Sequence, residues 1–219
     1  MKKAMFLTLA IAVSMPAAGA DTSVSKVLGS IDIGANQTAG TLSTVNGGID
    51  VGAHSTVEAM DTVNGHLHLG ASSTAASMTT VNGGVTLDAG AKVKGSVDTV
   101  NGSLKLGTGA EVGGTLENVN GDVTIDGAHV VGALKTQTGS IETRHGARLD
   151  AGLTVGKDEN NWSLTGHSTP RIVIGPGTVV GGPLNFERKV KLYISDRAVV
   201  KGAIEGAEAV RYSGETAPD

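Results

Sequence analysis

Residues 44–69 read TVNGGIDVGAHSTVEAMDTVNGHLHL and contain the tripeptide Val-Asn-Gly twice, 18 residues apart. The tripeptide recurs through the first half of the chain. Its five copies begin at Val45, Val63, Val81, Val100 and Val119, so the intervals are 18, 18, 19 and 19 residues. A nearly constant period of this kind indicates a repeat architecture, in which each repeat is one structural unit that stacks on the next.

The apolar residues keep fixed places between these tripeptides. Two apolar residues in strand alternation follow each Asn-Gly: Ile49 and Val51, Leu67 and Leu69, Val85 and Leu87, Leu104 and Leu106, Val123 and Ile125. A second set of apolar residues lies at Val57, Ala75, Val93, Val112 and Val131, and a third at Met60, Met78, Val97, Leu116 and Leu134. Three apolar clusters per repeat predict three short strands and three faces per coil.

Helices and antiparallel hairpins fit the pattern less well than parallel coils do. The 33 glycines would break helices within two turns. Antiparallel hairpins would need turn signals of equal strength twice per pair of strands, whereas the strong signal occurs once per repeat. We therefore predict an all-β, single-stranded parallel β-helix with 18–20 residues per coil. A right-handed coil is favoured, because Ile49 and Leu67 are large where the corner of a left-handed hexapeptide coil requires a small residue.

The chain divides into five predicted segments. Residues 1–20 have two lysines, an apolar stretch and a small-residue end, which is typical of a secretory signal peptide. We expect β-helix repeats over 21–156, an irregular loop over 157–170, final coils over 171–210 and a C-terminal tail over 211–219. The expected location is the periplasm or the cell exterior.

The composition argues against several kinds of cross-link, membrane anchor and partner. The chain has no cysteine, which excludes disulfides and a lipid anchor on cysteine. Without Lys2 and Lys3, 15 basic residues stand against 21 acidic ones, a net charge of −6 that argues against nucleic acid as a partner. No apolar run has the length of a membrane span, so no transmembrane segment is expected.

Two protein groups resemble parts of the repeat. The pattern of an aliphatic residue, small or polar residues, Val, any residue, Gly, any residue and an aliphatic residue occurs at 87–97, 106–116, 174–184 and 194–204. It resembles the bactofilins, polymer-forming bacterial cytoskeletal proteins with a right-handed triangular β-helix. The Thr-Val-Asn-Gly element that begins at Thr44, Thr62 and Thr80 resembles exported putative adhesin domains, which are also β-solenoids. The resemblance covers most of 29–210 and implies the fold. Bactofilins act in the cytoplasm or on its membrane face, so a chain with a signal peptide departs from them.

Asparagine and threonine each recur at the spacing of the repeat, so each is predicted to form a column across successive coils. A structural ladder of hydrogen-bonded amides is predicted for Asn46, Asn64, Asn82, Asn101 and Asn120. The alternative for these residues is turn chemistry, because Asn-Gly tolerates a positive φ at a corner. The threonine column at Thr44, Thr62, Thr80 and Thr99 indicates either strand propensity or a flat ice-binding array.

The remaining candidate residues give weaker signals. His66 and His68 are predicted to point outward from one strand, a spacing that suits a metal ion but is more often simply solvated. No carboxylate partner is evident for the other histidines, which are His54, His129, His145 and His167. No metal, cofactor or catalytic residue is predicted. Trp162, in the irregular loop, is either an exposed contact residue or packs on the side of the rod.

These features predict a non-enzymatic exported protein of the bacterial envelope, structural or adhesive in role and able to associate with itself through its ends or sides. The first alternative is a module that binds polysaccharide or cell-wall material. The second is a hexapeptide-type acyltransferase, which would need a catalytic histidine in a cleft between subunits. The expected partner is a second copy of the chain or envelope polysaccharide.

Overall fold

The computed structural model describes residues 22–157 and 169–218. The predicted signal peptide at 1–20, Trp162 and His167 lie outside the described residues, as does 158–168 of the predicted loop. The described residues form strands and short turns with no helix, and all pairings between strands are parallel. Within these two ranges there is accordingly no helix of the length and apolarity that a membrane crossing requires.

Twenty-seven short strands follow one another within residues 22–157 and 169–218. The first nine are β1 (Val24–Leu28), β2 (Ile31–Ile33), β3 (Thr38–Ala39), β4 (Leu42–Asn46), β5 (Ile49–Val51), β6 (Thr56–Asn64), β7 (Leu67–Leu69), β8 (Thr74–Asn82) and β9 (Val85–Leu87). The next nine are β10 (Lys92–Val93), β11 (Val97–Asn101), β12 (Leu104–Leu106), β13 (Glu111–Val112), β14 (Leu116–Asn120), β15 (Val123–Asp126), β16 (His129–Val130), β17 (Leu134–Thr136) and β18 (Ile141–Arg144). The last nine are β19 (Arg148–Leu149), β20 (Leu153–Val155), β21 (Arg171–Ile174), β22 (Val179–Val180), β23 (Leu184–Phe186), β24 (Lys191–Ser195), β25 (Val199–Val200), β26 (Ile204–Glu205) and β27 (Ala209–Tyr212).

The strands that follow the Asn-Gly pairs form one face of the rod. They make a ten-stranded parallel sheet in the order β2-β5-β7-β9-β12-β15-β18-β21-β24-β27. Successive coils are in register, so that Leu67 pairs with Ile49 on one side and with Val85 on the other. The predicted parallel β-helix is thereby confirmed, with about ten coils. Eight of the ten strands carry the aliphatic pair, whereas β18 has Ile141 and Thr143 at these positions and β27 has Ala209 and Arg211.

The second and third strands of each coil belong to one 17-stranded sheet that bends around a corner. In β6 and β8, each nine residues long, pairing continues across this corner, with Ala59 opposite Ser77. In the next coil the extra residue of the 19-residue repeat interrupts the strand between Val93 and Val97, giving two short strands. The insertion therefore lies at a corner, where it leaves the register of both faces intact.

The core is a column of aliphatic side chains inside the coils. At their centre Leu67, Met78, Leu104 and Leu116 are fully buried. One predicted core residue is wrong by a single position: Val130 pairs with Val112 and is buried, whereas Val131 is 38% exposed. The chain has one residue fewer between Ile125 and Val130 than between Leu106 and Val112, so the side chain that points inward shifts by one. The predicted right-handed winding stays a prediction.

The glycine of each Val-Asn-Gly is required by the distance between coils. A Cβ on Gly65 would overlap the carbonyl oxygen of Gly47, and a Cβ on Gly83 would overlap that of Gly65. The same relation joins Gly102 to Gly83. Close approach of neighbouring backbones, rather than a positive φ, is what selects glycine at these three positions.

Candidate functional surfaces

The five predicted asparagines lie side by side on consecutive coils and are joined by their side-chain amides. The Nδ2 of each donates to the Oδ1 of the asparagine one coil earlier, at 2.9 Å for Asn64 to Asn46, 2.9 Å for Asn82 to Asn64, 3.1 Å for Asn101 to Asn82 and 3.4 Å for Asn120 to Asn101. The Thr138 hydroxyl donates to Asn120 Oδ1 at 3.0 Å and extends the row. Positive φ outside glycine occurs in the described residues at Asn36, His54, Ser72 and His145, so these five asparagines do not use it.

The threonine column faces the interior of the rod. Thr44, Thr62, Thr80 and Thr99 are 1–5% exposed. Each hydroxyl donates to the carbonyl oxygen of a corner glycine in the preceding coil, as in Thr80 to Gly65 at 3.1 Å. The ice-binding alternative for this column is therefore wrong, because the hydroxyls are turned away from solvent. They satisfy backbone carbonyls that no strand pairing reaches at the corner.

A row of exposed valines runs beside the asparagines. Val45, Val63, Val81 and Val100 are 38–41% exposed, and Val27 in β1 is 69% exposed. We call the surface formed by residues 45–47, 63–65, 81–83, 100–102 and 119–121 the VNG corner. It contains no ionisable side chain over five coils, a length of about 19 Å at the strand spacing of about 4.8 Å.

The ten-stranded sheet brings acidic residues and histidines together on its outer face. Asp50 lies 2.9 Å from His66 Nε2 and 3.4 Å from His68 Nδ1, and His68 Nε2 lies 3.0 Å from Asp88. These side chains are 36–57% exposed, so each of these contacts adds at most about 1 kcal/mol to stability. Within 22–157 and 169–218, no group of three or more His, Cys, Asp or Glu residues is arranged to hold a metal ion.

Two further histidines also have carboxylate partners, contrary to the expectation from sequence. His129 Nε2 lies 2.8 Å from Asp150, and His145 Nδ1 lies 2.5 Å from Asp126. The hydrogen bond from His129, followed by that from Arg148, holds the pKa of Asp150 below its ordinary value. The partners are 21 and 19 residues apart, which is one coil. A search for partners at the repeat distance would have found them.

The two ends of the rod differ. In the last coil the inward residues Val200, Ile204 and Ala209 are only partly buried, whereas their equivalents one coil earlier are fully buried. Arg211 occupies the inward position that Ile194 fills in the preceding coil, and it is exposed. An inward-pointing charge on an edge strand opposes pairing with another chain. At the other end β1 pairs with β4 and exposes Leu28 at 75%.

The outward column of the ten-stranded sheet has the mixed character that the sequence predicts. Asp50, His68, Thr86, Lys105 and Thr124 are aligned by the strand register. A mixed column of this kind is typical of a solvated surface. The VNG corner, by contrast, repeats the same three residue types over five coils. No protein-family model, curated protein or solved structure matches this chain.

Proposed function

We propose that this protein is a non-enzymatic, exported structural or adhesive rod of the bacterial envelope that associates laterally with second copies through the VNG corner. The observation that carries the proposal is the exposed valine column beside the asparagine ladder. Interdigitation of such side chains gives dry contacts between sheets, as in steric zippers.

Matching spacing favours a second copy as the occupant. The coils of every copy are about 4.8 Å apart, so two VNG corners laid side by side remain matched over their whole length. A partner without this repeat would match only over one or two coils. The full sequence has a formal charge of −4, and copies that approach at an uncharged corner bring the fewest like charges together.

Other features support the exported, structural role. The predicted signal peptide favours the periplasm or the cell exterior as the location. The resemblance of the repeats to bactofilins and to exported adhesin domains favours a structural or adhesive role over catalysis. Lateral association is favoured over end-to-end stacking, because the exposed inward Arg211 opposes strand pairing at the C-terminal end.

Sedimentation velocity and electron microscopy of the purified protein, over a wide concentration range, test the proposal. We expect the wild-type chain to form dimers or bundles and the double variant Val63→Lys/Val81→Lys to be monomeric. Val210→Lys is the matched control, because Val210 is 53% exposed but lies in the last coil. A wild-type chain that is monomeric at every concentration would overturn self-association. If the control abolished association and the double variant did not, the contact would lie at the last coil and not at the VNG corner.

A further inference from the structure

A cleft of about 1160 Å³ lies beside the C-terminal third of the ten-stranded sheet. Three arginines line it, Arg144, Arg171 and Arg197, together with Tyr212. One wall is the chain end at 215–218, which follows the last strand back along the sheet. The VNG corner contributes no residue to the cleft, so the two surfaces are separate.

A missing side chain opens the floor of the cleft. The strand register places Arg144, Gly175, Ser195 and Tyr212 in one column across four coils. Gly175 cannot be replaced by a larger residue without moving backbone, because a Cβ there would overlap the carbonyl oxygen of Thr143. The column is therefore interrupted beside Arg144, and Pro176 and Gly177 continue the floor.

Three hydrogen-bond donors at this place have no acceptor. Arg144 Nε, Arg171 Nε and Tyr212 Oη are buried and make no hydrogen bond in the structure. Tyr212 as a whole is 9% exposed. A buried donor without a partner costs about 1–3 kcal/mol, so three of them around one cleft indicate that an acceptor belongs there.

The charges of the lining are unequal. Two glutamates face the three arginines, and one of them, Glu215, is already paired with Arg197. The other, Glu142, lies 3.9 Å from Arg144 Nη1, and Asp126 lies 4.0 Å from Arg144 Nε; neither carboxylate forms a hydrogen bond with Nε. The lining thus holds three arginines against two glutamates, with Asp126 just outside it beside Arg144 and His145.

Arg171 is held in a fixed position. Its Nη2 donates to the backbone oxygens of Ala217 at 3.1 Å and Pro218 at 3.0 Å. Its guanidinium lies over the ring of Tyr193, 5.2 Å from the centroid. A guanidinium that is already ordered loses little freedom when it binds, and its planar fork suits a carboxylate or a phosphate.

We propose that this cleft binds the carboxylate or phosphate group of a small ligand of about sugar size, with Arg144, Arg171 and Tyr212 as donors. Burial and the nearby charge of Glu142 raise the pKa of Tyr212, so its phenol stays protonated and donates at neutral pH. The cleft is somewhat larger than the roughly 300–1,000 Å³ of typical ligand sites, which leaves room for the uncharged part of the ligand. The inference does not depend on lateral association.

Isothermal titration calorimetry of the purified protein tests the inference with three probes: glucuronate, glucose 6-phosphate and glucose. We expect one or both anionic sugars to bind and glucose not to bind, and comparison of the two anions identifies the preferred group. Arg144→Gln should weaken binding about tenfold, as expected when a hydrogen bond to a charged group is lost. Tyr212→Phe should weaken it about three- to tenfold. The Phe variant keeps the ring, so a thermal melt can verify that the fold is unchanged.

Arg148→Gln is the matched control, because Arg148 is an exposed arginine outside the cleft. Binding should be unchanged in this variant. The inference is overturned if neither anion binds at millimolar concentration or if glucose binds as well as the anions. It is also overturned if the control weakens binding as much as Arg144→Gln does.

Discussion

The Thr62 hydroxyl donates a hydrogen bond of 3.0 Å to the carbonyl oxygen of Gly47, one coil earlier. The same bond is repeated by the other threonines of the column, and in the fifth repeat Asn118 replaces threonine and donates to Gly102 at 3.0 Å. The sharp corner turns the glycine carbonyl toward the threonine hydroxyl, and the hydrogen bond between them is partly buried. The polar column inside an otherwise aliphatic core thus allows the backbone to turn.

Thr62→Val should therefore destabilise the rod. Valine has nearly the same shape, but it leaves the Gly47 carbonyl without this buried donor, at a cost of about 1–3 kcal/mol. Chemical denaturation monitored by circular dichroism measures the loss. Thr86→Val makes the same chemical change on the outward face of β9 and should be nearly neutral; equal losses in both variants would contradict the role assigned to the hydroxyl.

Gly65→Ala should be more damaging than a surface glycine substitution. Its Cβ would overlap the carbonyl of Gly47, so the coils must separate locally, and we expect a loss above about 3 kcal/mol or failure to fold. Gly156→Ala is the control, since the nearest atoms to its Cβ would be 3.8 Å away. A thermal melt in which both variants behave alike would show that the close approach at the corner is unimportant.

Asn82→Asp tests the asparagine ladder. The ionised carboxylate accepts from Asn101 but cannot donate to Asn64 Oδ1, so two oxygens face each other across one coil. We expect a loss of about 0.5–1.5 kcal/mol at pH 7. Asn36→Asp, at an exposed turn outside the ladder, should have little effect. A ladder that contributes nothing to stability would give the same denaturation midpoint for both variants.

Asp61→Asn should stabilise the protein at neutral pH. Partial burial raises the pKa of Asp61, and the hydrogen bond from Thr79 offsets only part of this effect. A carboxyl group whose pKa is raised on folding favours the folded state when protonated, and this contribution is lost as the pH rises through the raised pKa. The gain in the variant should be about 0.5 kcal/mol at pH 7, given solvent screening, and should vanish below the ordinary pKa of aspartate. Melts at pH 7 and pH 3 measure it; a variant that is less stable at pH 7 would contradict the sign.

Much of the architecture could be predicted from the repeat. The pairs such as Leu67 and Leu69 alternate because strand side chains point to opposite faces, and their constant spacing predicts coils in register. The error at Val131 shows the limit of the method. Where the coil shortens by one residue, both Val130 and Val131 are apolar, and only the three-dimensional path of the chain decides which one points inward.

The contacts between polar side chains could be predicted less well, because most of them depend on the tertiary structure. Which way Thr62 points at the corner is set by the turn of the backbone, which periodicity does not encode. The pairs His129–Asp150 and His145–Asp126 join residues that are one coil apart and share no motif along the chain. The cleft around Tyr212 needs the last strand and the chain end to fold against coils formed earlier.

The amino-acid sequence by itself determined the period, the parallel stacking and the aliphatic interior, because these follow from local alternation and from glycine at each corner. The tertiary structure alone decided which way the corner threonines point, which residues surround the cleft and which donors stay unpaired. Such contacts require several coils to be in place at once, so they depend on how the rod is wound and not on any one repeat.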